Sequence, residues 1–347
     1  MKVTFLMLGL KDFSTGGYYF NNKVSDALVD AGHSVDVIHF NTVPVKVQGS
    51  KWRGALFVLQ RVLSFKPDIL VVSKSYSFMI LLRMLLFFKS IPVLYLVHHL
   101  EWHDRRGRVS NVRKFLVRWF ISTGKRVWVN SKSTADDVVE LGISEENLAI
   151  IPPGFEQFRL NTNRSSEISI LCVGTVCERK DQLTLVKACS LLKDRDFTLY
   201  ILGDETTDPE YASNVRAEAE SLAGKVIFMG HLTTEELYAM YNQCHFLANL
   251  SRWEGYGIAV VEALWAGLPV LAVNAGAVPE LVTNGYNGFL IEPGDVKACA
   301  ERLLILLENS DLREEMSLNA HVRAEKLFTW SDTGREFVKL VEETARS

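Results

Sequence analysis

"SRWEGYGIAVVEALWAGLPV", residues 251–270, is the stretch on which the reading of this chain turns. It is preceded by the short apolar run "HFLANL" (245–250), read as a strand, and runs into "LPVLAV" (268–273), read as another. Between them "IAVVEALWAG" (258–267) reads as a helix. Ser251 to Gly257 is then a strand-to-helix loop at the carboxyl end of a parallel sheet, where open α/β sheets bind ligands. Gly255 and Gly257 let backbone approach a ligand. A helix starting near Ile258 offers unpaired N–H groups and a positive dipole end, which suit phosphate. Glu254 stands just before that helix, and Glu262 about one turn into it. One acid can reach hydroxyls on one side of a bound phosphate, the other acid hydroxyls on the other side. Ribose, diphosphate and sugar would fit that order. From spacing alone, a surface loop with two solvated acids fits equally well.

A second loop tips the balance. "VGTVCERKDQLTLVKA" (173–188) reads as strand end, glycine turn, Arg179-Lys180 and helix. Two adjacent cations at the mouth of a parallel sheet can neutralise a diphosphate leaving group. A single Arg-Lys pair is more often solvated, but two ligand-facing loops in one domain are harder to dismiss.

Outward from these loops, strands alternate with amphipathic helices along the whole chain, which argues for parallel sheets covered on both faces. "KVTFLMLG", "HSVDVIHF", "KPDILVVS" and "IPVLYLVH" are strands of a first half; helices are expected at 51–65 and 76–89, and "GGYYFNNKVSDALVDAG" (16–32) reads as a glycine turn and helix. The polar stretch 156–167 reads as a linker, after which the pattern restarts. The expected domains are 1–158, 159–328, and a last helix, 329–347, that could pack back on the first domain. Length agrees: 347 residues suit two cores of about 150 to 180 residues each.

Composition is ordinary globular, 48% hydrophobic and 23% charged, which makes disorder and low complexity poor readings. A net charge of -3 does not suggest a nucleic-acid binder. The five cysteines are odd in number and lack a CxxC, which suits reduced thiols in a cytoplasmic protein. "VTFLMLGL" (3–10) reads as a buried first strand, not a signal peptide, and Arg83, Lys89 and Pro92 interrupt the most apolar stretch, so no spanning helix is expected. His98, His99 and His103 form no convincing metal site, and Asp194-Arg195-Asp196 reads as a surface turn. Neither domain's first turn carries G-x-G-x-x-G, which disfavours a nicotinamide-dependent dehydrogenase.

Taken together and in order, these pieces resemble the retaining glycosyltransferases of family 4, with the GT-B fold of two Rossmann-like parallel-sheet domains facing across a cleft. The most specific match is E-x7-E, Glu254 to Glu262, continuing through "EALWAGLPVLAVNAGAVPELVTNGYNGFLI"; the G-x5-K loop, Gly174 to Lys180, is the second. "GGYY", "KPDIL", "LVHHL", "VNSKSTADDV" and "LAIIPPGFE" follow the family's order.

The resemblance implies roles. Glu254 would contact donor sugar hydroxyls, and Glu262 would hold the ribose. The amides of Gly255, Tyr256, Gly257, Ile258 and Ala259 would face sugar and phosphate. Arg179 and Lys180 would bind the diphosphate, and the backbone from Gly230 to Leu232 would lie near the base. His98 matches a histidine near the reacting sugar; Gly16 and Gly17 would let the first loop approach phosphate and acceptor. Many members carry arginine where this chain has Thr175, so Arg179 is a less direct match than Lys180. The implied activity is metal-independent, cofactor-free transfer from a UDP- or GDP-sugar to a glycan or lipid-linked acceptor in envelope, polysaccharide or glycolipid synthesis. An epimerase, a phosphorylase and a non-catalytic scaffold remain the rival readings.

Residues 101–130 carry eight Arg and Lys against Glu101 and Asp104. Val112, Phe115, Leu116, Trp119 and Phe120 fall on one helical face, with Arg113, Lys114 and Arg118 off it. Such a helix can cover a sheet, or lie on an anionic membrane surface. The second reading makes the protein peripheral on the inner face of the cytoplasmic membrane.

Overall fold

The computed structural model describes residues 1–7, 16–39, 51–73, 91–100, 110–160 and 164–346, with backbone alone for 51–55. The helix expected at 76–89 and the cations Arg105, Arg106 and Arg108 lie outside the described residues. The chain forms two compact units, Met1–Gly154 with Phe328–Ser347, and Phe155–Leu327.

The first unit holds six parallel strands among the described residues. They are β1 (Lys2–Met7), β2 (Ser34–His39), β3 (Ile69–Ser73), β4 (Val93–Val97), β5 (Arg126–Val129) and β6 (Leu148–Ile150), in the order β2-β1-β3-β4-β5-β6. Strands β3 and β4, "ILVVS" and "VLYLV", are buried at every position, as a sheet covered on both faces requires. Helices α1 (Gly16–Asp30), α2 (Lys51–Phe65), α3 (Asn111–Ser122) and α4 (Lys132–Glu140) accompany it. Gly16 and Gly17 form the first turn of α1 and not a turn before it.

The second unit repeats the plan. Strands β7 (Ser169–Val173), β8 (Thr198–Leu202), β9 (Val226–Gly230), β10 (Phe246–Asn249), β11 (Val270–Val273) and β12 (Gly288–Ile291) lie in the order β12-β11-β10-β7-β8-β9, all parallel. Renumbered from β7, that is the 3-2-1-4-5-6 order of dinucleotide-binding sheets. The chain reverses its direction of winding between β7 and β10. Helices α5 (Gln182–Ser190), α6 (Pro209–Ala219), α7 (Thr234–Gln243), α8 (Ile258–Trp265), α9 (Val278–Leu281), α10 (Val296–Glu308) and α11 (Ser310–Ala324) build two apolar layers on the sheet.

The stretch expected as a linker is partly core. Phe155 and Phe158 are buried in the second unit, Phe158 stacks on Tyr238 with ring centroids 4.3 Å apart, and Trp265 Nε1 donates to the Phe158 carbonyl at 3.0 Å. Phe158 inside the polar run, with Phe155 just ahead of it, outweighs the run's composition. The last helix, α12 (Trp330–Arg346), belongs to the first unit and packs against α1, β3 and β4. Its Thr333 hydroxyl donates to the Pro152 carbonyl at 2.9 Å.

Candidate functional site

The loops read from the sequence follow β7 and β10, neighbours on either side of the point where winding reverses. Each loop makes side-chain and backbone bonds to the other. Arg252 N donates to the Arg179 carbonyl at 2.9 Å, and Arg179 donates to the Trp253 carbonyl at 3.0 Å. Arg252 grips the buried Asp181 carboxylate through Nε at 3.0 Å and a second nitrogen at 3.3 Å. Asp181 takes a left-handed backbone, φ 51°, where the short turn Glu178–Lys180 gives way to α5. That fork fixes the turn carrying Arg179 and Lys180.

Lys180 Nζ lies 2.5 Å from Glu254 Oε1, and Arg179 stands 3.8 Å from Glu254 Oε2. The Lys180 stem crosses the first loop at Gly174, where an added Cβ would meet its Cε at 3.1 Å; with φ at +142° as well, only glycine suits the position. The Glu254 backbone is held from behind by the loop after β11. Ala277 N donates to its carbonyl at 2.9 Å, and a Cβ on Gly276 would sit 2.2 Å from that oxygen.

Burial is the largest single influence on the Glu254 carboxyl and would raise it. The Lys180 and Arg179 charges, with the Lys180 hydrogen bond, outweigh burial and hold the group at about 2. Glu254 is therefore ionised at neutral pH. Its one charge faces two cations, at 2.5 and 3.8 Å.

Glu262 lives differently. Helix α8, "IAVVEALW", is buried at Val260, Val261, Glu262, Ala263 and Leu264, so its single acid stands inside an apolar helix. Burial pushes the Glu262 carboxyl up to about 7; the Tyr241 hydrogen bond opposes the rise and Glu156 adds to it. The Tyr241 hydroxyl lies 2.9 Å from Glu262 Oε2 and 3.2 Å from the Ala259 carbonyl. An ionised Glu262 accepts the tyrosine proton; a protonated one can donate to the tyrosine oxygen while the tyrosine donates to Ala259.

Gly257 caps α8 in a left-handed conformation, φ 101°, with no side-chain cap bond to the helix amides. That leaves the first turn of α8 suited to an anion. Tyr256 turns its side chain into the core, so only its backbone is at the loop surface. Gly230 closes β9, and its carbonyl accepts from Gly203 N at 2.8 Å; Leu232 packs partly buried beside it.

In the first unit, His98 forms a separate cluster. Its Nε2 lies 3.2 Å from Asn21 Oδ1 and 3.5 Å from the Ser73 hydroxyl, and Asn21 donates to Ser73 at 2.9 Å. The ring meets Phe20 and Trp128 edge-on at 5.4 and 5.1 Å. An added Cβ on Gly17 would touch it at 3.6 Å, an ordinary contact, so packing does not demand glycine there.

Sequence reasoning missed Tyr241, Asp181, Arg252 and Gly276, whose partners lie far away in sequence. It also missed Asn249 and Gln182, buried beside the two loops, whose Nδ2 and Oε1 atoms find no hydrogen-bond partner among the described residues. Such orphans call for an explanation. Only the penultimate residue of "HFLANL", an asparagine in an apolar run, carried a signal. Among the described residues no group of three or more His, Cys, Asp or Glu is placed to hold a metal. The Asp194–Asp196 turn joins α5 to the amino end of β8, away from both loops, and Arg195 pairs with Glu308 at 2.7 Å.

Two doubly wound parallel sheets, one with cation-bearing and acid-bearing loops at its switch point, define a GT-B glycosyltransferase fold. A family model described as "Glycosyl transferases group 1" matches residues 155–323, and one described as "Glycosyltransferase Family 4" matches residues 22–157. The chain belongs to glycosyltransferase family 4. It is similar to the MMP alpha-(1->4)-mannosyltransferase of Mycolicibacterium hassiacum, 27% identical over 72% of this chain and 65% of that protein. The chain spans about half to two thirds of the length of the curated relatives it matches first. Among solved structures, sucrose-phosphate synthase from Thermosynechococcus elongatus aligns with a TM-score of 0.85 at 18% identity, over all of both chains. Anabaena HepE in complex with UDP and glucose aligns with a TM-score of 0.79 at 19% identity, over 99% of this chain and 100% of that one.

Proposed function

We propose that this chain is a retaining glycosyltransferase that moves a sugar from a UDP- or GDP-sugar to a hydroxyl of a glycan or lipid-linked acceptor. The observation that carries the reading is the Lys180–Glu254 pair, with Arg179 beside it, at the β7/β10 switch point. The solved HepE structure, with UDP and glucose bound, supports a nucleotide-sugar as the donor class.

The donor diphosphate takes Lys180 away from Glu254 and meets the first-turn amides of α8 from Ile258 onward. Glu254, released from Lys180 and still ionised, accepts hydrogen bonds from the sugar hydroxyls. Glu262 accepts those of the ribose, and the backbone at Gly230 and Leu232 borders the base. The orphan Asn249 and Gln182 groups gain partners from the donor or its water. As the bond from the anomeric carbon to the diphosphate oxygen breaks, its electrons leave with the nucleoside diphosphate, and positive charge develops on the sugar. Arg179, Lys180 and the α8 amides stabilise the leaving charge, the largest contribution expected at such a site. The acceptor oxygen then bonds the anomeric carbon from the face the diphosphate left, and its proton passes to the leaving oxygen. His98, Gly16 and Gly17, in the first unit, are assigned to the acceptor.

The test is release of nucleoside diphosphate from a panel of UDP- and GDP-sugars, with chelator present, with and without a membrane lipid extract. Turnover of one donor, accelerated by the extract, is the expected result. Absence of any donor binding or turnover contradicts the reading and leaves a scaffold. A requirement for inorganic phosphate points to a phosphorylase instead.

A further inference from the structure

His98 follows the last residue of β4 and is half-buried. Three buried polar side chains from other elements reach it. Asn21 comes from α1, Ser73 closes β3, and Asn130 follows β5; they are 5%, 2% and 4% exposed. The surroundings are otherwise apolar. Phe20 and Trp128 stack at 4.2 Å, and Asn21 shares the inward face of α1 with Phe20, Val24 and Leu28. An amide or hydroxyl buried in such a place costs free energy unless it is hydrogen-bonded. Here the bonds converge on one residue. Asn130 Nδ2 donates to the His98 carbonyl at 2.8 Å. Asn21 Oδ1 lies 3.2 Å from His98 Nε2, and Asn21 Nδ2 donates to the Ser73 hydroxyl at 2.9 Å. That hydroxyl lies 3.5 Å from the same ring nitrogen. Asn130 therefore holds the His98 main chain, while Asn21 and Ser73 hold its ring.

We propose that Asn21, itself oriented by Ser73, is a positioning residue for His98: its Oδ1 accepts the Nε2 hydrogen and so sets the tautomer and the plane of the ring. An amide oxygen can only accept, so Nε2 must carry a hydrogen to bond it. The neutral ring then has its lone pair on Nδ1, and a substrate hydroxyl meeting that nitrogen would donate to it. The contact orients the hydroxyl and does not take its proton, which in the proposed reaction passes to the leaving oxygen. The inference deepens the proposed function and rests on the assignment of His98 to the acceptor. The state of the ring can be read without donor or turnover, so the two readings can fail separately.

The experiment is nuclear magnetic resonance of the full chain carrying 15N-labelled histidine, across a pH series, with His98 assigned by its loss in His98→Gln. The wild type is expected to show the neutral His98 ring as the Nε2–H tautomer. Asn21→Leu keeps the volume and removes the acceptor, so the His98 signals should move toward a mixture of tautomers. Asn21→Asp keeps an accepting oxygen; the Nε2–H form should persist, and the ring should titrate at higher pH because a neighbouring carboxylate favours its charged form. Ser73→Ala, which loosens Asn21 alone, should give the change of Asn21→Leu at smaller size and keeps the test open should that variant not fold. His33, in the same unit and 3.3 Å from Glu342, is the control whose signals should stay in place. Nucleoside diphosphate release from the donor panel with lipid extract should fall roughly tenfold or more in Asn21→Leu. Affinity for UDP or GDP should not change, because the loops after β7 and β10 belong to the second unit. A wild-type His98 found as the Nδ1–H tautomer, or identical His98 signals in wild type and Asn21→Leu, overturns the proposal. So does a variant in which His33 and His98 move together and nucleotide affinity falls in step, which marks a merely structural residue. The expected His98 signals without turnover of any donor support the positioning and contradict the proposed function instead.

Discussion

Glu254 and Glu262 are both buried, lie eight residues apart, and ionise in opposite senses. Glu254 sits in a loop crossed by two cations and is held at about 2. Glu262 sits in an apolar helix with a tyrosine hydroxyl for company and rises to about 7. The difference teaches that burial alone does not set a carboxylate's state; the charge brought to it by the neighbouring loop does. It also divides the labour of the candidate site. One acid is ionised at neutral pH and paired with Lys180 and Arg179. The other changes charge near neutral pH, and with it the strength of the hydrogen bonds it can accept.

The largest effect should come from cutting the loops apart electrostatically. Lys180→Ala should lower turnover by roughly 100-fold, the scale of losing a group aimed at leaving-group charge. It should also cost about 3 kcal/mol of stability at neutral pH by leaving the Glu254 carboxylate buried beside a weaker partner. Steady-state kinetics and denaturant unfolding measure the two. Unchanged activity would remove Lys180 from the diphosphate assignment.

Next in size is Gly276→Ala. Its Cβ would fall 2.2 Å from the Glu254 carbonyl oxygen, so the brace behind Glu254 must shift. A loss of about 2 kcal/mol is expected, with a weaker donor interaction, by unfolding and calorimetry. A variant as stable and as tightly binding as the wild type would show that Glu254 needs no such brace.

A smaller effect separates the acids by pH. Between the ordinary value of 4.5 and about 7, native Glu262 keeps a proton that the unfolded chain has released. Its contribution to stability is fully present below 4.5 and is lost as pH rises through about 7. Glu262→Gln should remove that component of the stability profile. Glu254 behaves oppositely: its contribution is present above 4.5 and is lost as pH falls toward about 2. Parallel pH profiles for Glu262→Gln and wild type would contradict the assignment. The smallest effect is Tyr241→Phe, which removes the one hydrogen bond opposing the Glu262 rise. The midpoint of pH-dependent donor binding should move upward, at a stability cost of about 1 kcal/mol.

Much of this was legible in the chain itself. The alternation of short apolar runs with helices located both sheets, and "SRWEGYGIAVVEALW" and "VGTVCERK" marked the loops that meet at the β7/β10 switch point. Strand order was not legible, because periodicity reports which face of an element is apolar and not which strand lies beside it. For the same reason, the Arg252–Asp181 fork, the Tyr241–Glu262 contact and the Gly276 brace were invisible; each joins residues that only the topology brings together. The exposed stripe of α3, Val112, Phe115, Leu116 and Trp119, escaped in another way. Hydrophobic spacing identified an apolar face, but could not tell that Val117, Phe120 and Ile121 would take the inward side.

The measurement closest to the central claim is calorimetric titration of the wild type and Lys180→Ala with UDP and with GDP. The account predicts that the wild type binds at least one of them and that the variant binds it roughly tenfold or more weakly, since a diphosphate loses a half-buried cation partner. Equal affinity in the two proteins, or no binding to either nucleotide, would contradict a diphosphate site built by the loops after β7 and β10.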